Sequence, residues 1–463
     1  MLRRSFLASA AMAMAAEQRP NVVFVLVDDL RWDELRCTGH PFADTPHADR
    51  LAKEGALFRN AFATTPLCSP SRASFLTCTY AHTHTVTDNV ARDALSHKLD
   101  TWPRRLHEAG YRAAFIGKWH MGNEDAPRPG FDKWVSFRGQ GECNDPVLNV
   151  DGKSGRTKGY VTDLLTDHAV EFIRKEAGKP FCLYLAHKAI HPNVVQRDDG
   201  SIVLSQASEA EQFVAAARHK DLYTGKPLPR RPNYGVVPKD KPALAEAPAG
   251  VPTLGPETGT DDATIYNRLR MAKAVDESLG RLLEALEKAG ELDNTIVVFT
   301  SDHGYFYGEH CLGPERRLAY EETIRIPLLV RYPKRFHAGA RPEKMVLSVD
   351  VGATALDLAG VKRPAPCHGH SLLPGGRERD AILVEYFSDT VFPRVNKMGY
   401  TAVRTKRWKY IQYRDRHGAD ELYDLAADPY ELKNRIGEAG VPLAALRKRL
   451  QELLTETGGQ PAR

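Results

Sequence analysis

The sequence predicts an α/β protein: a large mixed, mostly parallel sheet sandwiched by helices, followed by a small C-terminal antiparallel-sheet subdomain. Three observations predict it. Residues 21–27 form a continuous apolar run, β-branched in part and closed by Asp28-Asp29, too short for a buried helix and suited to a central strand buried on both faces. Helical patterns and short apolar runs then alternate along most of the chain, the pattern of strands joined by crossover helices. Beyond about residue 376 the alternation gives way to short runs suited to antiparallel pairing.

In order, helical patterns lie at 46–54, from about Ser71, and near 102–109, and a strand follows at 112–116. Strands are expected at 181–185 and 295–300. Before the second, Ile265, Leu269, Ala272, Val275, Leu279, Leu282, Leu283 and Leu286 recur at helical spacing, with Gly290 at the end. Residues 196–262 break the pattern with Pro, Gly and charge, 227–256 most of all, and read as a long surface insertion beside a cleft. A helix-like stretch at 349–359 precedes a Pro/Gly-rich boundary at 363–376. Strands at 382–387, 401–404 and 408–413 and a terminal helix complete the chain. The expected division is therefore 1–16, 17–375 and 376–463.

At 463 residues the chain can bury a large core without staples, and 42% apolar, 27% charged and 8% aromatic residues exclude a disordered chain. The net charge of +5 is spread along the sequence and gives no support to nucleic-acid binding. Residues 7–16, small and apolar after Arg3-Arg4, are too short to span a bilayer and read as a cleavable export signal resembling the twin-arginine type. A periplasmic or secreted protein without a stable membrane anchor is expected, delivered by the export machinery. The seven cysteines are odd in number and contain no CxxC pair, so one needs a separate explanation.

Four segments place chemically capable residues at expected strand ends or helix starts, where open α/β sheets bind ligands. Asp28-Asp29 and Ser301-Asp302-His303-Gly304 close two strands and together suit a hard-oxygen cage for Ca²⁺ or Mg²⁺, whereas either alone also reads as a cap or turn. Cys68-Ser69-Pro70-Ser71-Arg72 leads into a helix whose free N–H groups and Arg72 favour an anion; a buried cysteine in a Pro turn is the plainer reading. Gly117-Lys118-Trp119-His120 and His187-Lys188-Ala189-Ile190-His191 supply cations and groups that exchange protons near neutrality.

These segments resemble the type I sulfatases of the alkaline phosphatase superfamily. Cys68-Ser69-Pro70-Ser71-Arg72 matches their C-x-P-x-R signature, in which a maturation enzyme oxidises the cysteine to formylglycine (3-oxoalanine). The likeness extends through Asp28-Asp29, Gly117 to His120, His187 to His191, Ser301 to Gly304, Tyr320-Glu321-Glu322, and Glu421-Leu422-Tyr423-Asp424. It is similar to bacterial exported sulfatases of the N-acetylglucosamine-6-sulfatase-like branch.

The resemblance implies an alkaline phosphatase/sulfatase-like fold with 17–375 as the catalytic domain. It also implies one Ca²⁺ held by Asp28, Asp29, Asp302 and His303 and touched by the modified Cys68. A formylglycine hydroxyl would attack sulfur, Arg72 and Lys118 would neutralise the sulfuryl oxygens, His191 would protonate the departing alcohol, and His120 would help release sulfate. The substrate implied is a sulfated saccharide. Alternatives are a phosphonate or phosphate-diester hydrolase, or an inactive sulfated-glycan-binding protein. This chain departs from the family pattern at His303, often Asn; at Arg316, where many members carry Lys and where no proton can be donated; and at Cys78, which replaces Gly. His82, His84 and Asn89 are expected sugar contacts, with the 196–262 insertion.

Overall fold

The computed structural model describes residues 19–203, 206–387 and 391–460. The export signal expected at 1–16 lies outside them. The strands and helices that place the site are β1 Asn21–Val27, α1 Pro46–Glu54, α2 Cys68–Thr77, α3 Trp102–Glu108, β2 Arg112–Gly117, β3 Lys133–Ser136, β4 Val147–Val150, β5 Lys153–Arg156, α4 Val161–Glu176 and β6 Phe181–Ala186. After the insertion come α5 Asp262–Lys288, β7 Thr295–Ser301, β8 Leu328–Arg331 and α6 Val349–Ala359. The C-terminal part holds β9 Ala381–Tyr386, β10 Tyr400–Thr405, β11 Trp408–Tyr413, β12 Glu421–Asp424 and α7 Leu443–Glu456.

The main sheet has nine strands. Its centre runs β7-β1-β6-β2-β3, all parallel, with β1 between β7 and β6. Both edges are antiparallel: β8 and the short strand Ala56–Leu57 beyond β7, and β4 and β5 beyond β3. These edge strands were not expected from the sequence, because they are short and carry weak periodicity.

All seven residues of β1 are buried because helices cover both faces of the sheet. Val23, Val25 and Val27 point into one core with residues of α4 and α5, whereas Val22, Phe24 and Leu26 point into the other with Phe75, Trp102 and Leu356. Alternate side chains of one strand thus weld two helical layers together. Helix α5 starts at Asp262, where Asp261 caps it by accepting a hydrogen bond from Thr264 N–H at 2.7 Å. Helix α4 was not expected, although Val161, Leu165, Ala169 and Ile173 recur every four residues on its buried face.

Two expectations are corrected. The helix expected from about Ser71 begins at Cys68, so the Cys-Ser-Pro-Ser-Arg run is its first turn rather than a preceding loop. Pro70 is accommodated there because first-turn N–H groups have no intrahelical acceptor to lose. The 196–262 insertion has only short helical turns, as its composition indicates, but it is not confined to the surface. Lys241 is buried and donates to Glu431 O at 2.7 Å and to the Tyr423 hydroxyl, anchoring the insertion to the C-terminal sheet.

That sheet is four-stranded and antiparallel in the order β9-β10-β11-β12, with α7 packed on it. Buried ion pairs join it to the main body: Lys409 reaches Glu321 at 2.9 Å and Arg404 reaches Glu321 at 3.2 Å, while Lys409 also meets Glu431 of the C-terminal part at 2.8 Å. Among the described residues no helix is long and apolar enough to cross a membrane.

Gly117 ends β2 with φ +118°, and a Cβ there would stand 1.9 Å from Ala186 O on the neighbouring strand. Gly117→Ala should therefore lower stability by about 2 kcal/mol or more, read as a lower urea midpoint with unchanged slope.

Candidate active site

The sheet order decides the site. Strands β7, β1, β6 and β2 are consecutive neighbours and parallel, so their C-terminal ends open on one side. Asp302-His303, Asp28-Asp29, His187 to His191 and Lys118 to His120 leave those ends in spatial order. Helix α2 brings Cys68 to the same place, buried on every residue, with Ser71 Oγ donating to Asp302 O at 2.6 Å.

Asp28, Cys68, Asp302 and His303 each offer one ligand atom, and these atoms lie within 4.8 Å of one another, all buried. Cys68 Sγ is 3.7 Å from Asp28 Oδ1 and 3.4 Å from His303 Nε2. His303 Nδ1 lies 3.1 Å from Gly304 O, and a carbonyl only accepts, so Nδ1 carries the proton and Nε2 presents its lone pair to the cluster. Asp29 is adjacent but differently engaged: Oδ1 accepts from Arg316 Nε at 2.8 Å, while Oδ2 is buried without a hydrogen-bond donor. Two carboxylates, an imidazole lone pair and this unpartnered oxygen fit a divalent cation.

Electrostatics agree with that fit. Burial opposes ionisation of Asp28, but Lys118 and Arg72 outweigh it and hold the carboxyl well below its ordinary range. Burial first, and the charge of Asp28 second, push Asp302 up to about 8. Arg72 bridges the two carboxylates, with Nε 3.1 Å from Asp302 Oδ2 and Nη2 3.2 Å from Asp28 Oδ2, and Nη1 donates to Lys118 O at 2.7 Å. Lys118 Nζ is paired with Asp28 Oδ2. Burial pushes the Cys68 thiol far up, with the nearby carboxylates adding to it and Lys118 opposing.

The histidines are neutral. Burial, aided by Lys118, holds both His120 and His191 well below the ordinary imidazole value. His191 Nδ1 donates to Pro192 O at 2.9 Å, which leaves Nε2 to accept from Arg316 Nη2 at 3.1 Å. Arg316 thus spans Asp29 and His191. His120 Nε2 lies 2.5 Å from Gln196 Oε1 and 2.9 Å from Gln140 Nε2, and Ser69 Oγ donates to His120 O.

A cavity of about 230 Å³ opens beside these groups and includes His191, Arg316, Asn89, Gln140 and Gln196 in its wall, with Phe213, Tyr305, Phe392, Glu209 and Arg317. The start of the insertion therefore lines the cleft, as expected for part of it. Asn89 reaches the site, its Oδ1 accepting from Ser69 N–H at 3.1 Å. The other two expected sugar contacts do not. His82 is tied to Glu385 at 2.9 Å and to Thr457 O at 2.9 Å, at the junction with the C-terminal sheet. His84 packs against α2, with Nε2 3.1 Å from Ser74 Oγ. Neither lines the cleft, because the short helix Ala81–His84 turns away after α2 ends. Gln140 and Arg317 were not expected from the sequence, and Gln196 and Glu209 only as members of the insertion, since isolated polar residues in loops carry no local signal.

A buried, cation-fitting cluster at the mouths of parallel strands, faced by an Arg, a Lys and neutral histidines, defines a hydrolase for esters of tetrahedral oxyanions. Comparison with known proteins narrows the class: the profile described as Sulfatase matches residues 20–361, and this chain belongs to that family and is a sulfatase. A second profile, N-sulphoglucosamine sulphohydrolase, C-terminal, matches residues 308–460. The chain is 33% identical to an N-acetylglucosamine-6-O-sulfatase of Bacteroides thetaiotaomicron, over 98% of this chain and 89% of the relative. It is 28% identical to an ulvan-active sulfatase of Formosa agariphila, over 94% of this chain and 82% of the relative. A solved structure of BT4656 in complex with its substrate D-glucosamine-2-N,6-O-disulfate superposes with a TM-score of 0.82 at 30% identity, covering 96% of this chain and all of the other.

Asp302 yields a pH prediction. Without a cation the folded state keeps a proton on Asp302 up to about 8 that the unfolded chain loses near 3.8, so this group's stabilising contribution is lost as pH rises across that window. A bound dication keeps Asp302 ionised. The gain in urea midpoint on adding Ca²⁺ to chelator-treated protein should therefore grow from pH 5 to pH 8, with proton release on binding. A gain independent of pH would contradict this.

Proposed function

We propose that the protein removes a 6-O-sulfate ester from a glucosamine residue of a sulfated saccharide, using Cys68 matured to formylglycine and one bound Ca²⁺. The single observation that carries the chemistry is the position of Cys68: at the first turn of a buried helix, within reach of Asp28 and His303. The substrate rests on the relatives. A curated relative is an N-acetylglucosamine-6-O-sulfatase, and a solved structure like this one holds a glucosamine carrying 2-N- and 6-O-sulfates. The cleft agrees with a sugar, since Phe213, Tyr305 and Phe392 offer apolar faces while Asn89, Gln140 and Gln196 offer hydrogen bonds.

When present, the aldehyde hydrate supplies an oxygen nucleophile and Ca²⁺, held by Asp28, Asp29, Asp302 and His303, supplies positive charge beside it. The remaining work falls to the chain's own groups. Arg72, fixed by two carboxylates and a carbonyl, and Lys118, on Asp28, bind the sulfuryl oxygens without reorganising. His191 has one nitrogen committed to Pro192 O, so its Nε2 carries the proton to the leaving alcohol. Its low basicity in the free enzyme means that the substrate's negative charge is what draws a proton onto it. His120, neutral and aimed by Ser69, Gln140 and Gln196, accepts a proton from the nucleophile's second hydroxyl. Arg316 keeps its charge in all these steps and acts as an anion clamp that also orients His191.

We further propose that residues 1–16 direct export, with 17–375 as catalytic domain and 376–463 as its C-terminal subdomain, and that a formylglycine-forming maturation enzyme acts on Cys68.

Protein made in maturation-competent cells should show an aldehyde at position 68 by mass spectrometry, and Cys68→Ala should lose about 10⁴-fold or more in sulfate release. Turnover, read as sulfate or alcohol released, should favour 6-O-sulfated glucosamine saccharides over 4-O-sulfated galactosamine and over phosphodiesters by ~100-fold or more; equal turnover would reject the substrate. An intact thiol in active enzyme would reject the nucleophile.

His191→Ala should slow a sugar sulfate by about 10²-fold or more while sparing an aryl sulfate, whose leaving group needs no protonation. Equal losses on both would remove His191 from the acid role.

A further inference from the structure

Cys78 is one of two thiols that meet away from the site. It caps α2 in the left-handed region, φ 61°, with its N–H donating to Ser74 O at 3.0 Å. Its own carbonyl accepts from His368 N–H at 2.9 Å, which brings the boundary loop onto the helix end and sets Cys367 alongside. Both thiols are free, and the two are close enough for each to shift the other's ionisation. Cys78 Sγ is enclosed by Trp102 and by Gly352 of α6, where a Cβ would stand 2.6 Å from the sulfur. Cys367 is only half-buried and lines a cavity of about 600 Å³ together with Tyr80, Arg363 and His368.

That arrangement separates roles. Cys367 opens on the cavity while Cys78 lies fully buried behind it. Cys78, with Gly369 N–H and Arg363 assisting, draws the Cys367 thiol down against its burial. An accessible cysteine backed by a buried one has the layout of an attacking and a resolving cysteine.

We propose that Cys78 and Cys367 are a modification site, closing into a disulfide that pins the C-terminal end of the helix carrying Cys68 to the loop leading into the C-terminal sheet. The oxidant is a disulfide, small or protein-borne. The Cys367 thiolate attacks one of its sulfurs, the oxidant's S–S bond breaks, and one half leaves as a thiolate and takes up a proton. Cys78 then attacks the Cys367 sulfur, loses its proton, and displaces the second half as a thiol. Two cysteine thiols are oxidised and one disulfide is reduced to two thiols, so electrons and protons balance. Cys68 is left out, since carboxylates and an imidazole surround it rather than a second thiol. The bond would thus withdraw the thiol nearest in sequence to the maturation site while holding the helix in place.

The test uses full-length protein and oxidised glutathione, with Cys68→Ala alongside to separate this site from catalysis. Expected is a mass loss of about 2 Da, a Cys78–Cys367 cross-linked peptide under non-reducing conditions, and a Tm raised by ~3 °C or more that dithiothreitol reverses. Cys367→Ser, at the more exposed of the two positions, should show none of these, and Cys68→Ala should show them all. Both thiols still alkylatable after treatment, a stable glutathione adduct on Cys367 with Cys78 free, or a cross-link that leaves Tm unchanged would each overturn the proposal.

Discussion

Two carboxylates are buried side by side at the ends of neighbouring parallel strands, and the rest of the molecule is arranged around that constraint. Asp28 and Asp302 have no solvent to spread their charge, and each raises the cost of ionising the other. Arg72 and Lys118 offset that cost from one side, and a dication suits the other, where Asp29 Oδ2 has no donor and His303 turns Nε2 toward the cluster. Removing one cation from such a network would leave a buried charge uncompensated, which is far costlier than losing a surface pair. The cluster is therefore a demand on the fold for rigid positioning.

The three-layer architecture meets that demand. Strand β1 sends alternate side chains into two separate cores, so the backbone that ends in Asp28-Asp29 is fixed from both faces. Asp29 sits at φ 61°, its N–H on Asp302 Oδ1 at 3.0 Å and its carbonyl receiving Arg268 at 2.6 Å. His120, at φ 58°, is held likewise by Ser69. Residues in the left-handed region at the ends of strands persist only where surrounding contacts over-determine them, and here those contacts are the site's own.

The cleft is assembled from parts of the chain that the sheet does not order. Gln196 and Phe213 come from the insertion, Asn89 from the segment after α2, Arg316 and Arg317 from the loop after β7, and Phe392 from the segment after β9. Lys241, tying the insertion to the C-terminal sheet, and the Glu321 ion pairs, tying that sheet to the main body, give these loops a common frame. Strand ends carry the titratable groups of the cluster, where rigid positioning matters most, and loops supply most of the cleft wall.

What the sequence determined by itself is local. The apolar run 21–27, the helical spacing from Ile265 to Leu286 and the Cys-Ser-Pro-Ser-Arg run are patterns within a few turns of chain, and periodicity and cap chemistry are set over that range. Because strand ends are the binding edge of a parallel sheet, Asp28, Lys118, His191 and Asp302 were legible as candidates before their neighbours were known. Only the tertiary structure decided which candidates meet. The order β7-β1-β6-β2 brings four strand ends together, while the turn after α2 carries His82 and His84 away and leaves Asn89 at the cleft. Arg316 as the partner of Asp29 and His191, the two glutamines on His120, and Cys78 beside Cys367 join residues far apart in the chain. Such contacts follow from how whole elements pack, a sum over the entire core that no local pattern contains.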